Sequence, residues 1–155
     1  HFRAAGKLLE KYGEANTRLW IVPPTRMDEH QLKQEGYYKI FENSKARVEI
    51  PGCSLCMGNQ ARAADGTTMV STSTRNFPNR MGDGCNVYLA SSEVTAISSL
   101  LGKIPNLEEY QDYMKDLNTM SSEVFRYMNF NEIEDYLRKV RDMDISHLDI
   151  EVFKD

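Results

Sequence analysis

Apolar side chains near the start of the chain recur at helical spacing, which predicts a first helix over residues 2–12 with Gly13 as its stop. Capping residues, composition or amphipathic spacing predict further helices downstream. They are residues 28–35 with Asp28 as the N-cap, a short segment after Gly36, residues 59–64, residues 92–101 between the N-cap Ser92 and the stop Gly102, and residues 107–117 and 131–140. The last two have acidic outer faces, as amphipathic surface helices do.

Short apolar and β-branched runs lie between these helices and predict strands. They are residues 19–22, 47–50, 67–72 and 87–90, while residues 124–128 fit either a strand or an irregular segment. Because helices and strands alternate up to about residue 102, the predicted fold class is α/β. We expect a mostly parallel sheet in a three-layer α/β/α arrangement with extra C-terminal helices. In such sheets, ligands bind at the carboxyl ends of the strands.

The size and composition of the chain are those of one ordinary domain. It has 155 residues, and a hydrophobic fraction of 41% is sufficient for a core. No apolar run is long enough to cross a bilayer, so we expect no membrane association. Because the chain begins with His1 rather than Met, we expect it to be part of a longer polypeptide. The patterns divide it into an α/β core over about residues 1–104 and a helical C-terminal extension over about residues 105–155.

Charge is distributed unevenly along the chain. The net charge is −4, yet basic side chains outnumber acidic ones over residues 45–80, and residues 106–155 are clearly acidic. A locally positive loop region on an acidic body fits a small anionic ligand. A nucleic-acid interface normally needs a broad basic face, so this class of partner is not favoured.

Two cysteines, Cys53 and Cys56, are separated by two residues in a segment that follows a predicted strand. A total of three cysteines argues against a disulfide framework and for metal or redox use in a reducing compartment, so we expect a cytoplasmic protein. From the spacing alone, four interpretations stay open: a thioredoxin-like redox pair, a structural zinc site, an iron–sulfur site and a buried pair. Cys85 is more typical of a small buried residue than of a ligand.

Two arginines, Arg75 and Arg80, lie in a loop after the predicted strand 67–72. A guanidinium can donate two parallel hydrogen bonds to a carboxylate, so two converging arginines would select a di- or tricarboxylate. The preceding residues 71–74 supply hydroxyls for additional hydrogen bonds. The alternative is structural, in that each arginine caps loop carbonyls or pairs with Asp83.

Together, the two motifs resemble the cluster-binding and substrate-binding segments of the aconitase family, especially in bacteria. The motifs are Pro-Gly-Cys-Ser-Leu-Cys-Met-Gly-Asn-Gln at residues 51–60 and Ser-Thr-Ser-Thr-Arg-Asn-Phe-Pro-Asn-Arg at residues 71–80. The similarity runs over most of the chain and is weakest after residue 131. It implies a fold like that of the aconitase iron–sulfur domain, and it implies that residues 1–155 form the C-terminal cluster- and substrate-binding domain of a larger multidomain enzyme.

The resemblance also implies roles for individual residues. Cys53 and Cys56 would be two of the three thiolate ligands of a 4Fe–4S cluster, and the third would lie upstream of His1. Arg75 and Arg80 match the arginines that bind substrate carboxylates in the family. Outside these four positions the match is weaker: Thr74 stands where other aconitases have Asn, and Cys85 matches no family ligand.

The implied reaction is the dehydration and rehydration of a hydroxy-tricarboxylate, from citrate through cis-aconitate to isocitrate, in the tricarboxylic acid cycle. 2-Methylisocitrate is a further implied ligand. In the family the catalytic base is a serine of a separate domain, so we expect no catalytic residue in this chain and no turnover by the chain alone. The alternative is that a cluster-free form binds messenger RNA as a post-transcriptional regulator.

Overall fold

The computed structural model describes residues 1–53 and 61–125. Its elements, in chain order, are α1 (Phe2–Tyr12), β1 (Trp20–Ile21), α2 (Arg26–Gln34), α3 (Tyr37–Asn43), β2 (Arg47–Val48), β3 (Thr68–Ser71), β4 (Asn86–Leu89), α4 (Ser92–Leu101), α5 (Leu107–Thr119) and α6 (Ser121–Val124). The helices and strands from α1 to α5 all lie on predicted segments. Within the described ranges, no helix combines the length and apolar character needed to span a membrane.

The strands pair in parallel, in agreement with the predicted α/β class. β1 pairs with β2 and β3 pairs with β4, with Trp20 aligned to Arg47 and Thr68 aligned to Asn86. Over the described residues, however, the strands form two separate two-stranded sheets rather than one. β1 and β2 contain only two residues each, which leaves little backbone for a longer ladder. The three-layer arrangement stays a prediction.

One apolar core joins the helices to the first sheet. In α1 the buried residues Ala4, Leu8 and Leu9 lie on one face of the helix, which is the pattern that predicted it. The buried members of this core are Ala4, Leu8, Leu9, Ile21, Leu32, Tyr37, Phe41, Ala96, Ile97, Leu100, Leu117 and Val124. Residues 61–90, all of which are described, contribute no member to this cluster.

Two predicted N-caps are wrong. α2 begins after Thr25, whose Oγ1 accepts a hydrogen bond from the Asp28 N–H at 3.1 Å, so Asp28 lies in the first helical turn. α4 begins after Ser91, whose Oγ accepts from the Val94 N–H at 3.3 Å, so Ser92 is already helical. In both helices an upstream hydroxyl sits on extended backbone and faces the third N–H of the helix, which is the geometry that an N-cap requires.

Two further predictions differ from the structure. Residues 61–64 are not helical, because their backbone bonds to a distant segment: the Ala63 N–H donates to the Met81 carbonyl at 2.7 Å. The segment 124–128, predicted as strand or irregular, begins in helix, since Val124 is the last residue of α6. Residues 59–60 and 126–128 and the predicted helix 131–140 lie outside the described residues.

Candidate functional site

Cys53 lies just beyond the carboxyl end of β2. The turn before it is held against the first strand, since the Gly52 N–H donates to the Pro23 carbonyl at 3.0 Å. Pro23 follows β1, so the ends of both strands and the start of the cysteine loop meet at one edge of this sheet, as parallel strands require. The Cys53 side chain is exposed, which distinguishes it from a core cysteine.

The second cysteine of the pair, Cys56, lies outside the described residues. Within residues 1–53 and 61–125, no group of three or more His, Cys, Asp or Glu side chains is placed to hold a metal ion. A metal centre with three or more such ligands that includes Cys53 therefore needs at least one ligand from outside these ranges. This requirement is compatible with a cluster held by Cys56 and a third cysteine elsewhere.

The two arginines of the loop after β3 differ in exposure. Arg75 is exposed, whereas only 3% of Arg80 is exposed. The Arg80 Nη1 donates a hydrogen bond to the Arg75 carbonyl, so the Arg80 side chain folds back across the start of its own loop. Because burying a charged group is unfavourable unless its donors are used, and fully buried arginines are rare, this burial indicates a specific role for Arg80.

The structural alternative for the arginines applies in part. Arg80 does cap the Arg75 carbonyl, but Asp83 forms its ion pair with Arg62, at 3.4 Å. A guanidinium carries five N–H donors. Capping one carbonyl therefore does not prevent the same group from binding a carboxylate.

Two asparagines brace the segment 72–85, which we call the arginine loop. Near its start, Asn76 donates from Nδ2 to the Val87 carbonyl at 2.8 Å and ties the loop to β4. In the middle of the loop, Asn79 has a left-handed backbone, with φ at 61°, and its Oδ1 accepts at 2.8 Å from the N–H of Gly84, near the end of the loop. Asparagine tolerates this backbone region better than most residues, so the turn before Arg80 matches its sequence.

Residues 61–66 form a strip alongside the end of the arginine loop. The Ala63 N–H donates to the Met81 carbonyl at 2.7 Å, and the Gly66 N–H donates to the Asp83 carbonyl at 2.9 Å. Arg62 adds a side-chain contact, since its Nη2 lies 3.4 Å from the Asn79 carbonyl. The strip thus supports the loop through hydrogen bonds rather than through an apolar cluster.

Gly82 lies where the arginine loop packs closely against the strip. A Cβ at this position would lie 2.6 Å from the Ala63 carbonyl oxygen and 2.6 Å from the Cys85 Sγ. The Cys85 thiol in turn lies 3.4 Å from the Ala64 carbonyl, and the residue is half-buried. Cys85 therefore packs against the strip, although it is half-buried rather than buried as the sequence predicted.

The structure brings the predicted residues to two strand ends. Cys53 lies at the carboxyl ends of β1 and β2, and Arg75 with Arg80 lies beyond the carboxyl end of β3. Both loops therefore occupy the kind of edge where ligands bind in parallel sheets. That the two loops share one crevice stays a prediction.

Sequence reasoning missed two residues that support the arginine loop, Arg62 and Asn79. Arg62 lies in a segment predicted as a helix. Its contacts are with residues 79 and 83, which are distant in the sequence, so no local pattern indicates them. A signal for Asn79 was present, because Pro78-Asn79 is a turn-forming pair. A turn-forming pair does not by itself specify the left-handed backbone that Asn79 adopts in the structure.

Comparisons with known proteins agree with the two motifs. The sequence model of a family described as "Aconitase family (aconitate hydratase)" matches residues 1–102. Aconitate hydratase B of Escherichia coli K12 is 60% identical over 140 residues, which are 90% of this chain and 16% of that protein. Aconitate hydratase B of Synechocystis is 58% identical over 137 residues, which are 88% of this chain and again 16% of the relative.

The similarity extends more weakly to a second kind of enzyme. The large subunit of 3-isopropylmalate dehydratase from Bacteroides fragilis is 36% identical over 110 residues, which are 70% of this chain and 24% of that subunit. The chain thus spans only 16% to 24% of the length of these curated relatives. The predicted resemblance is confirmed by the family match and by the identity over most of the chain.

Proposed function

Since the chain belongs to the aconitase family, we propose that it supplies the cluster- and substrate-binding domain of an aconitate hydratase. The complete enzyme would interconvert citrate and isocitrate through cis-aconitate, with the other domains of the same polypeptide completing the active site. The observation that carries the proposal is the burial of Arg80 beside the exposed Arg75, at the carboxyl end of a parallel strand.

Each arginine would bind one carboxylate of the substrate. A planar guanidinium pairs with a carboxylate through two parallel hydrogen bonds, and partial burial strengthens this interaction because less water competes for the donors. Two such contacts would orient the hydroxy acid so that its hydroxyl and its α-hydrogen lie on defined sides of the site. The arginines would therefore position the substrate, while proton transfer would belong to a residue outside this chain.

Cys53 and Cys56 would supply two ligands of a 4Fe–4S cluster. The donor chemistry fits, because thiolates are the usual ligands of such clusters, and the exposed Cys53 at a strand end is accessible to one. When bound, the cluster would supply a Lewis-acidic iron for the departing hydroxyl. A reducing cytoplasm, where we place the enzyme, would keep these thiols available as ligands.

The substrate role can be tested in the complete enzyme that contains this chain. We predict that Arg75→Lys and Arg80→Lys each raise the KM for citrate by roughly 10-fold or more, because a lysine cannot reproduce a bidentate charged contact. Arg18→Lys, an exposed arginine outside the loop, is the matched control and should leave the KM unchanged. Wild-type KM values in both loop variants would exclude the proposed substrate contacts.

The ligand role has its own test, with iron and acid-labile sulfide content as the measurement. After anaerobic reconstitution of the complete enzyme, Cys53→Ser and Cys56→Ser should each lose most of the bound iron and sulfide. Cys85→Ser should retain both, because that thiol packs against a carbonyl. The reverse pattern would contradict the ligand assignment.

The isolated 155-residue chain should not hydrate cis-aconitate, and turnover by it would show that the catalytic base is inside the chain.

Two finer alternatives concern the ligand. The complete enzyme would also hydrate 2-methyl-cis-aconitate, which competition against citrate can measure.

A cluster-free form would bind messenger RNA, although the acidic residues 106–155 weigh against strong RNA contact by this domain. A gel-shift assay of the complete apoenzyme over a salt series tests that function: retained, salt-sensitive binding would support it, and no shift at low salt would exclude it.

A further inference from the structure

The position of Arg80 depends on the residue before it. Asn79 is one of two non-glycine residues with a positive φ in the described part of the chain, and the other is Lys45. Its left-handed backbone reverses the chain between the exposed Pro78 and the buried Arg80 and Met81. The direction in which the Arg80 side chain leaves the backbone therefore follows from the conformation at residue 79.

Three contacts hold Asn79 in this conformation. Its Oδ1 accepts from the Gly84 N–H at 2.8 Å and closes the end of the arginine loop. Its carbonyl lies 3.4 Å from the Arg62 Nη2, and the same Arg62 nitrogen lies 3.4 Å from the Asp83 Oδ1. The turn is closed from the other side by the Arg80 N–H, which donates to the Phe77 carbonyl at 3.3 Å.

The side-chain contact of Asn79 is the strongest of these by geometry and exposure. At 2.8 Å the bond to the Gly84 N–H has an ideal length. The Arg62–Asp83 pair, by contrast, is long, and both side chains are more than half exposed, so it adds little. Glycine at residue 79 would keep the backbone conformation but lose the bond, whereas alanine would lose both the bond and the tolerance for a positive φ.

From this geometry we propose that Asn79 is a positioning residue, which directs the Arg80 guanidinium toward the substrate by combining a left-handed backbone with the hydrogen bond to the Gly84 N–H. The proposal rests on the function proposed above, in which Arg80 binds a substrate carboxylate. Asn79 itself would not contact the substrate. Its effect would pass entirely through the direction of Arg80.

The test uses the complete enzyme and separates KM from kcat for citrate. We expect Asn79→Gly to raise the KM by about 3-fold to 10-fold, the equivalent of one lost hydrogen bond, and Asn79→Ala to raise it further. Asn79→Asp keeps an acceptor oxygen and tolerates the left-handed region, so its KM should stay close to that of the wild type, unlike the KM of the glycine and alanine variants. Because a contact made equally to substrate and transition state appears in KM, kcat should change less than KM.

Two comparisons make the result decisive. Lys45→Ala alters the other left-handed residue, which lies outside the arginine loop, and should leave the KM unchanged. Arg80→Lys tests the proposed function separately: if it leaves the KM unchanged, the substrate role of Arg80 fails. If Arg80→Lys raises the KM but Asn79→Gly and Asn79→Ala lower only the thermal stability, the positioning role is overturned. If both roles hold, Asn79→Gly should add little to the KM of Arg80→Lys, since coupled residues are not additive.

Discussion

The helical body of the chain and its arginine loop are held in place by different interactions. We define the body as α1 to α6 with β1 and β2. Its buried apolar side chains pack into one cluster, and burial of such side chains is the dominant favourable term in folding. The loop region, residues 61–90, adds no side chain to that cluster, and its backbone is held mainly by hydrogen bonds to carbonyls and N–H groups.

This difference separates stability from site geometry. A body that gains its stability from apolar packing can stay folded while a loop on its edge changes conformation. The loop, in turn, can direct two arginines only if its few polar contacts are intact, because net hydrogen-bond energies are small. We therefore expect substitutions of buried side chains in the body to lower the free energy of unfolding, and substitutions that remove a polar contact of the loop to change mainly the ligand-binding geometry.

The largest expected effect comes from the body. Leu117 of α5 is fully buried, with 0% exposed, and Leu117→Ala should lower the free energy of unfolding by about 2–5 kcal/mol, through lost burial and a residual cavity. Urea denaturation of the chain, followed by circular dichroism, measures this change. The helix lies beyond the residues matched by the family model, so a loss of this size would also show that α5 belongs to the same cooperative unit.

An apolar residue of the arginine loop is the matched control. Phe77 is 48% exposed, and Phe77→Ala should lower the free energy of unfolding by no more than about 1 kcal/mol. A loss as large as that of Leu117→Ala would break the comparison, because the loop would then contribute apolar packing comparable to that of the body.

The next largest effect on the free energy of unfolding is expected inside the arginine loop, at Gly82, where the loop packs closely against the strip of residues 61–66. Gly82→Ala would bring a Cβ within 2.6 Å of the Ala63 carbonyl oxygen and of the Cys85 Sγ. Overpacking of this kind typically lowers the free energy of unfolding by about 1–3 kcal/mol. The same urea titration measures it. Cys85→Ala removes one of the two clashing atoms, so the double variant should recover part of the loss. Full stability of Gly82→Ala would mean that the strip and the loop separate easily.

The helices of the body could be predicted from the sequence because local patterns, such as the spacing of apolar residues and the stop residues, indicate where a helix lies and which face it buries. The apolar residues of α1 repeat at the spacing of one helical face, and residues 92–101 end at the predicted stop Gly102; both helices were found where predicted. Their first residues were less predictable. Thr25 and Ser91 displaced Asp28 and Ser92 as N-caps, since neighbouring residues offer equivalent oxygens and only the backbone conformation selects one.

The loop was predictable only in its chemistry. The residue types and order of the two motifs identified Cys53, Arg75 and Arg80 as candidates without any knowledge of their geometry. The support of the loop by Arg62 depends on hydrogen bonds between distant segments, and no periodic pattern encodes them. For the same reason, the sequence assigned residues 61–64 to a helix, whereas the Ala63 N–H donates across to the Met81 carbonyl of the arginine loop.

The smallest expected effect on stability concerns a polar contact on the surface of the body. It tests whether polar contacts of the body, unlike its apolar core, contribute little to the free energy of unfolding. Asp116 of α5 pairs with Lys11 Nζ at 2.6 Å and accepts a hydrogen bond from the Tyr12 hydroxyl, which joins α5 to α1. Lys11 first, and then Tyr12, hold the pKa of Asp116 below its usual value of 3.8. The same hydrogen bond raises the pKa of Tyr12 to about 12.

These two pKa shifts predict that Tm falls at both ends of the pH range: an acid limb that depends on Asp116 and an alkaline limb that depends on Tyr12. Because the pKa of Asp116 is lower in the folded state, its contribution is present above pH 3.8 and is lost as the pH falls through the folded-state value. Because the pKa of Tyr12 is higher in the folded state, its contribution is present below pH 10.0 and is lost as the pH rises toward about 12. Thermal melts across both ranges should show that Asp116→Asn flattens both limbs, while Tyr12→Phe flattens the alkaline limb and retains most of the acid one. Asp112→Asn, which removes an exposed ion pair on the same helix, is the matched control. If it flattens the limbs equally, the effect comes from the general charge of α5 rather than from the contact that joins α5 to α1.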